Sequence, residues 1–175
     1  MTEPIPLVAA SPDCAELFFA GRVRRCATMW HAASLPQLRA VLTDRLADTT
    51  GPVTLDLIGH STRGHNLLRL GGTAIDMLDP YVAGFFRAVA EERLLDRLEV
   101  RAVRLLGCGT GVTEAGGRTL RMLARTLRRP VFGTLVPLLK SHSTAVGFDP
   151  RFQRVLVRVG DADEVLAELS DLDPG

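Results

Sequence analysis

Two glycine-rich turns carry the side chains best suited to chemistry in this sequence. The first reads Gly59-His60-Ser61-Thr62-Arg63-Gly64, and the second Gly107-Cys108-Gly109-Thr110-Gly111. Each follows an apolar run, residues 53–58 and 100–106, whose Val, Leu and Ile content predicts a buried strand. In parallel sheets ligands bind beyond the carboxyl ends of the strands, where both turns would lie. Imidazole beside a thiol favours the thiolate, the nucleophilic form of cysteine. A helix predicted just beyond Cys108 adds its N-terminal positive potential to the same effect. Backbone N–H groups in the two turns, at Gly59, Gly107 and Gly109 among them, are candidates for holding a developing oxyanion. A histidine and a cysteine so placed, His60 and Cys108, make one consistent arrangement for acyl transfer.

Other readings compete for the same residues. Taken alone, Cys108 is an ordinary small core residue. Residues 106–111 also look like the glycine loop of an S-adenosylmethionine-binding domain, where glycines let the backbone approach a cofactor. The strand that follows, Val131-Phe132-Gly133-Thr134, lacks the acidic residue that would hold ribose hydroxyls. Leu57-Ile58-Gly59-His60-Ser61 resembles the approach to a serine hydrolase's nucleophile elbow, with Asp149 and His142 as nominal partners for Ser61. Arg63 stands where that elbow needs its last glycine. His65 lies past the loop and is expected to be exposed. His31 has no supporting pattern, and His142 sits in a stretch that could line the same crevice.

The elements that must position these turns follow from periodicity and punctuation. Residues 1–13 carry three prolines and read as an extended lead-in, while residues 15–30 leave strand and helix both open. Ser34 is a candidate N-cap for a helix reaching about Asp48, with Leu35, Leu38, Val41, Leu42 and Leu46 at helical spacing. Residues 67–70 read as a short extended segment closing in a Gly71-Gly72 turn. A helix begins at Asp79 or Pro80, another spans about 113–128, and a strand covers 130–135. Residues 152–159 are expected to form a last strand and 163–169 a last helix. Strands alternating with helices predict a three-layer α/β/α sandwich with a mostly parallel sheet.

Composition bounds the function. The 175 residues suit one domain, with 46% hydrophobic and 23% charged residues, an ordinary globular balance. No apolar run approaches the roughly 18 residues of a membrane helix, so no membrane span is expected. The net charge of +1 gives no global pull toward nucleic acid. Of 21 lysines and arginines only Lys140 is a lysine, and the arginines are spread along the chain. Arg118, Arg121, Arg125 and Arg128 form a helical stripe, read as a solvated face because no aromatics interleave with it. Three cysteines (Cys14, Cys26, Cys108) without metal-ligand spacing, and an N-terminus without the features of a secretory signal, point to the cytoplasm. Cys14 and Cys26 are expected to be structural. No metal or cofactor is expected.

Taken together, the pieces resemble the caspase-like cysteine peptidases, a group that includes caspases, gingipains, clostripain, the CHAT domains and related bacterial domains. The matching segments are residues 53–64, the Leu67-Leu68-Arg69-Leu70-Gly71-Gly72 stretch and residues 103–111. The helix through Gly116-Gly117-Arg118 and the strand at Val131 extend the likeness over about residues 34–148. The resemblance implies a caspase-like fold, His60 as general acid and base, and Cys108 as nucleophile. It puts the Ser61 backbone N–H where the family's glycine donates to the oxyanion. It implies a peptide or protein substrate, or a catalytically silent module that binds a partner, and leaves the oligomeric state open.

Overall fold

Helix ends fall where local capping chemistry puts them. Ser34 Oγ accepts the Gln37 N–H at 3.3 Å, Asp79 accepts the Tyr81 N–H at 2.8 Å, and Thr113 Oγ1 accepts the Gly116 N–H at 3.0 Å. The computed structural model describes residues 5–13, 29–48 and 51–159. In chain order these form β1 (Ile5–Ala10), β2 (Met29–His31), α1 (Leu35–Arg45), β3 (Val53–Ile58), β4 (Arg69–Leu70) and β5 (Thr73–Ala74). Next come α2 (Pro80–Glu91), α3 (Leu94–Arg97), β6 (Val100–Leu106), α4 (Glu114–Leu127) and β7 (Val131–Thr134). The short strands β8 (Ser143–Thr144) and β9 (Gly147–Phe148) precede β10 (Leu156–Arg158). Cys14, Cys26 and the expected helix at 163–169 lie outside the described residues.

One six-stranded sheet runs in the order β10-β7-β6-β3-β1-β2, parallel except for β10. The fold is therefore α/β with a mostly parallel sheet. Two corrections to the sequence reading follow. Residues 5–10 are extended, but as an interior strand flanked by β2 and β3 rather than a lead-in. Pro6 is tolerated there because the β1–β2 register begins only at Val8, so its missing N–H breaks no bond to β2. The expected strand at 152–159 is a 3-10 turn over Pro150–Val155 followed by three strand residues. Asp149 initiates that turn, its carboxylate accepting the Arg151 N–H at 2.9 Å.

The layers can be followed for the described helices, residues 14–28 and the expected helix at 163–169 lying outside the described residues. The apolar sides of α1, α2 and α4, through Leu38, Leu42, Phe86, Val89, Leu120 and Leu123, share one core with Leu55, Leu57, Val103 and Leu105. Among the described residues all these helices cover the same sheet face. Their crossovers, β2 to β3, β3 to β6 and β6 to β7, step the same way across the sheet, and right-handed connections then land on one side. The other face buries Val8, Ala10, Ile58 and Leu106 under Leu138 and Phe148 from the segment after β7. The arginine stripe on α4 runs opposite its buried leucines, with Arg125 and Arg128 exposed as a solvated face requires. Arg118 is half-buried and reaches Asp76 at 4.0 Å. Among the described residues no helix is long and apolar enough to cross a membrane.

Asp56 and Arg104 lie deep on that second face. They are direct partners on β3 and β6, and Arg104 Nε and Nη2 donate to the two Asp56 carboxylate oxygens at 2.6 and 2.7 Å. Asp56 is fully buried, and burial pushes its carboxyl above the ordinary range while the guanidinium opposes the shift. The fork also donates to Thr54 at 3.1 Å and lies over the Phe148 ring. Asp56→Ala should destabilise the fold by about 3–5 kcal/mol, because it strands a buried guanidinium. Asp56→Leu combined with Arg104→Met should recover most of that loss in chemical denaturation.

Candidate active site

Register builds the site. Strands β3 and β6 are parallel neighbours with Ile58 opposite Leu106, and each leaves the sheet through a glycine. His60 and Cys108 are thus the second residues beyond a matched pair, at one height on adjacent strand ends. Both are half-buried, Cys108 as a free thiol, and both line one cleft with Gly59, Gly107, Ile58, Leu106, Leu138, Leu139, Ser143 and Phe148. The open volume of that cleft is about 20 Å³, close to what one water needs.

The hairpin of β4 and β5 holds the histidine turn. The His60 carbonyl accepts the Arg69 N–H at 2.8 Å, and the Thr62 N–H donates to the Leu67 carbonyl at 2.8 Å. These two bonds flank the Ser61–Leu68 bridge and make it a non-hydrogen-bonded antiparallel pair, so the Ser61 N–H points away from Leu68. The glycine at 59 is required by this packing, since a Cβ there would stand 2.0 Å from the Arg69 carbonyl oxygen.

The cysteine turn is strapped by two buried threonines that sequence reasoning missed. Thr134 Oγ1 donates to the Gly107 carbonyl at 2.5 Å and accepts the Thr110 N–H at 3.1 Å. Thr110 Oγ1 donates to the Leu105 carbonyl at 2.7 Å and accepts the Thr134 N–H at 2.9 Å. The backbone on both sides of Cys108 is therefore tied to the end of β7. No sequence signal marks this pair, because its geometry comes from β7 lying beside β6.

The structure narrows the oxyanion candidates. The N–H groups of Gly59, Gly107 and Gly109 donate to the carbonyls of Leu106, Leu105 and Val136 at 3.4, 3.2 and 3.3 Å. Of the four expected donors only the Ser61 N–H is left outside these bonds. The same bonds occupy the glycine loop that would have faced a nucleotide-like cofactor. Ser61 Oγ is buried without a hydrogen-bond partner among the described residues and packs against Gly107, where a Cβ would meet it at 2.7 Å. Ser61 is not among the residues lining the cleft and its hydroxyl is hydrogen-bonded to no base, so nothing activates it as a nucleophile.

The other histidines fall elsewhere. His65 is exposed, as expected, and its carbonyl accepts the Thr113 hydroxyl at 2.5 Å. His142 is buried outside the cleft lining, its Nδ1 accepting the Leu139 N–H at 3.1 Å and its ring against Phe152. Asp149, its nominal partner in a triad, instead grips Arg151 at 2.6 Å, and its N–H donates to the His142 carbonyl at 2.9 Å. These bonds anchor the segment that supplies Leu138, Leu139, Ser143 and Phe148 to the cleft.

Two expectations follow. Thr134→Val leaves the Gly107 carbonyl and the Thr110 N–H without their partner, and should cost about 1–3 kcal/mol in denaturant unfolding, whereas Thr134→Ser should retain most of the stability. Hydrogen bonds from Arg151 hold the Asp149 carboxyl below its ordinary value of 3.8. The folded state then binds fewer protons here than the unfolded chain, so this contribution is complete above the unfolded value and fades as pH falls through the lower folded one. Melting temperature measured from pH 6 downward should fall less steeply in Asp149→Asn than in the parent.

No protein-family model and no curated protein matches the chain.

Proposed function

We propose that this chain is a single caspase-like domain acting as a cysteine-dependent peptidase, with Cys108 as nucleophile and His60 as acid and base. The observation that carries the reading is the shared cleft at two register-matched strand ends, lined by both the histidine and the cysteine. The leucine-rich hairpin directly after the histidine, and the helix after the cysteine turn, agree with the family pattern in the sequence.

In this mechanism His60 accepts the thiol proton as Cys108 Sγ attacks the peptide carbonyl carbon. The Ser61 N–H donates to the oxygen that gains charge. Collapse of that intermediate breaks the C–N bond, and His60 delivers its proton to the leaving amine. Water, deprotonated by His60, then attacks the thioester and releases the acid and the thiol. The threonine pair acts before any of this, holding the backbone on either side of Cys108 in one conformation.

A second reading, a catalytically silent module of the same fold that binds a partner, draws support from the small open volume of the cleft. Alkylation of Cys108 by iodoacetamide against pH separates the two without knowledge of the substrate. For the peptidase, Cys108 reacts fast below about pH 7.5, under the usual thiol value of about 8.5, and His60→Ala abolishes that advantage. Cys108→Ala also removes all hydrolysis of a casein digest. A Cys108 that titrates as an ordinary thiol whatever stands at residue 60 favours the silent module.

A further inference from the structure

The walls of the cleft carry information about what enters it. We infer that the residue on the acyl side of the scissile bond has a small, uncharged side chain, glycine or alanine, and that Leu139 sets the upper size limit. This rests on the peptidase reading above. The acyl carbon bonds to Cys108 Sγ, so the side chain of that residue starts within the cleft that Cys108 and His60 share. Beyond the dyad the lining side chains are Ile58, Leu106, Leu138, Leu139 and Phe148, with Ser143 as the remaining polar group. No acidic or basic side chain is among these described lining residues.

A charged substrate side chain would lose its water here and find no counter-charge among the described lining residues, which is strongly unfavourable. The charges deeper on the same face, Asp56 and Arg104, offer none, because they are closed on each other by two hydrogen bonds. Size is limited as well, since an open volume of about 20 Å³ takes a water or a methyl group. The walls differ in how far they can give. Leu138 and Phe148 are buried in the core with Val8 and Ala10, whereas Leu139 is 57% exposed at the rim. Shortening Leu139 therefore widens the cleft without opening the core.

Peptidyl chloromethyl ketones identical except for a terminal Ala, Leu, Asp or Arg residue test this. Cys108 Sγ forms a bond to the ketone methylene, chloride leaves, the thiol proton passes to His60, and intact mass gives the labelling rate. The Ala probe should label Cys108 at least tenfold faster than the Asp and Arg probes, with Leu between them. In Leu139→Ala, the Leu probe should gain severalfold on the Ala probe while Asp and Arg stay slow. An Asp or Arg probe as fast as Ala overturns the inference on charge, and an unchanged Leu-to-Ala ratio in Leu139→Ala overturns the role of Leu139. Iodoacetamide run in parallel separates the two levels. A fast, His60-dependent thiolate with the wrong probe order sinks the specificity alone, and an ordinary thiol sinks the peptidase and this inference together.

Discussion

Side chains alternate faces along a strand, so slipping β3 past β6 by one residue would turn one strand's inner set to the opposite layer. The placement of His60 beside Cys108 depends on this not happening, because both are counted from the matched pair Ile58 and Leu106. The buried partners Asp56 and Arg104 sit two residues earlier on the same strands and are bonded through both carboxylate oxygens. A slip would separate them and leave two charges buried without partners, far costlier than any loss of apolar contact. The irregularity between Val53 and Thr54 lies before this pair, so the ladder has settled into its final register where the charges meet.

Above the ion pair, restraint passes to neutral hydrogen bonds. The histidine turn is held by a backbone ladder with the β4–β5 hairpin, and the cysteine turn by Thr110 and Thr134. Both devices absorb polar groups that a glycine-rich turn would otherwise leave bare, and the carbonyls of Leu106, Leu105 and Val136 take the N–H groups of Gly59, Gly107 and Gly109. The Ser61 N–H escapes because it occupies a non-hydrogen-bonded position in its ladder. The backbone of the sheet end is thus tied by hydrogen bonds, and the half-buried imidazole and thiol are what it presents.

The segment after β7 serves two purposes. Leu138 and Phe148 complete the core on the sheet face that the described helices leave uncovered, and the same stretch walls the cleft. Its anchors are polar and local: the Leu139 N–H on His142 Nδ1, the Asp149 N–H on the His142 carbonyl, and Asp149 on Arg151. Stability of this cover and access to the cleft are therefore coupled through these hydrogen bonds together with the apolar contact of Leu138 and Phe148 against Val8, Ala10, Ile58 and Leu106.

Much of the fold was legible in the chain itself. Strands at 53–58 and 100–106, the capped helices after Ser34, Asp79 and Thr113, and the parallel character of the sheet follow from apolar periodicity, cap residues and turn punctuation, which are local properties. That His60 and Cys108 reach one sheet edge was legible too, because a strand run ending in a glycine turn marks which residues lie there. Three things were decided only by tertiary structure. Residues 5–10 became an interior strand because β2 and β3 close around them, which a short proline-bearing stretch cannot announce. The N–H groups of Gly59, Gly107 and Gly109 turned to backbone acceptors because carbonyls at Leu106, Leu105 and Val136 came within reach. Thr110 and Thr134, distant in sequence, became one unit because β7 pairs with β6. Local signals encode which residues can turn, cap or alternate, whereas a hydrogen bond between distant residues exists only once packing has brought donor and acceptor together.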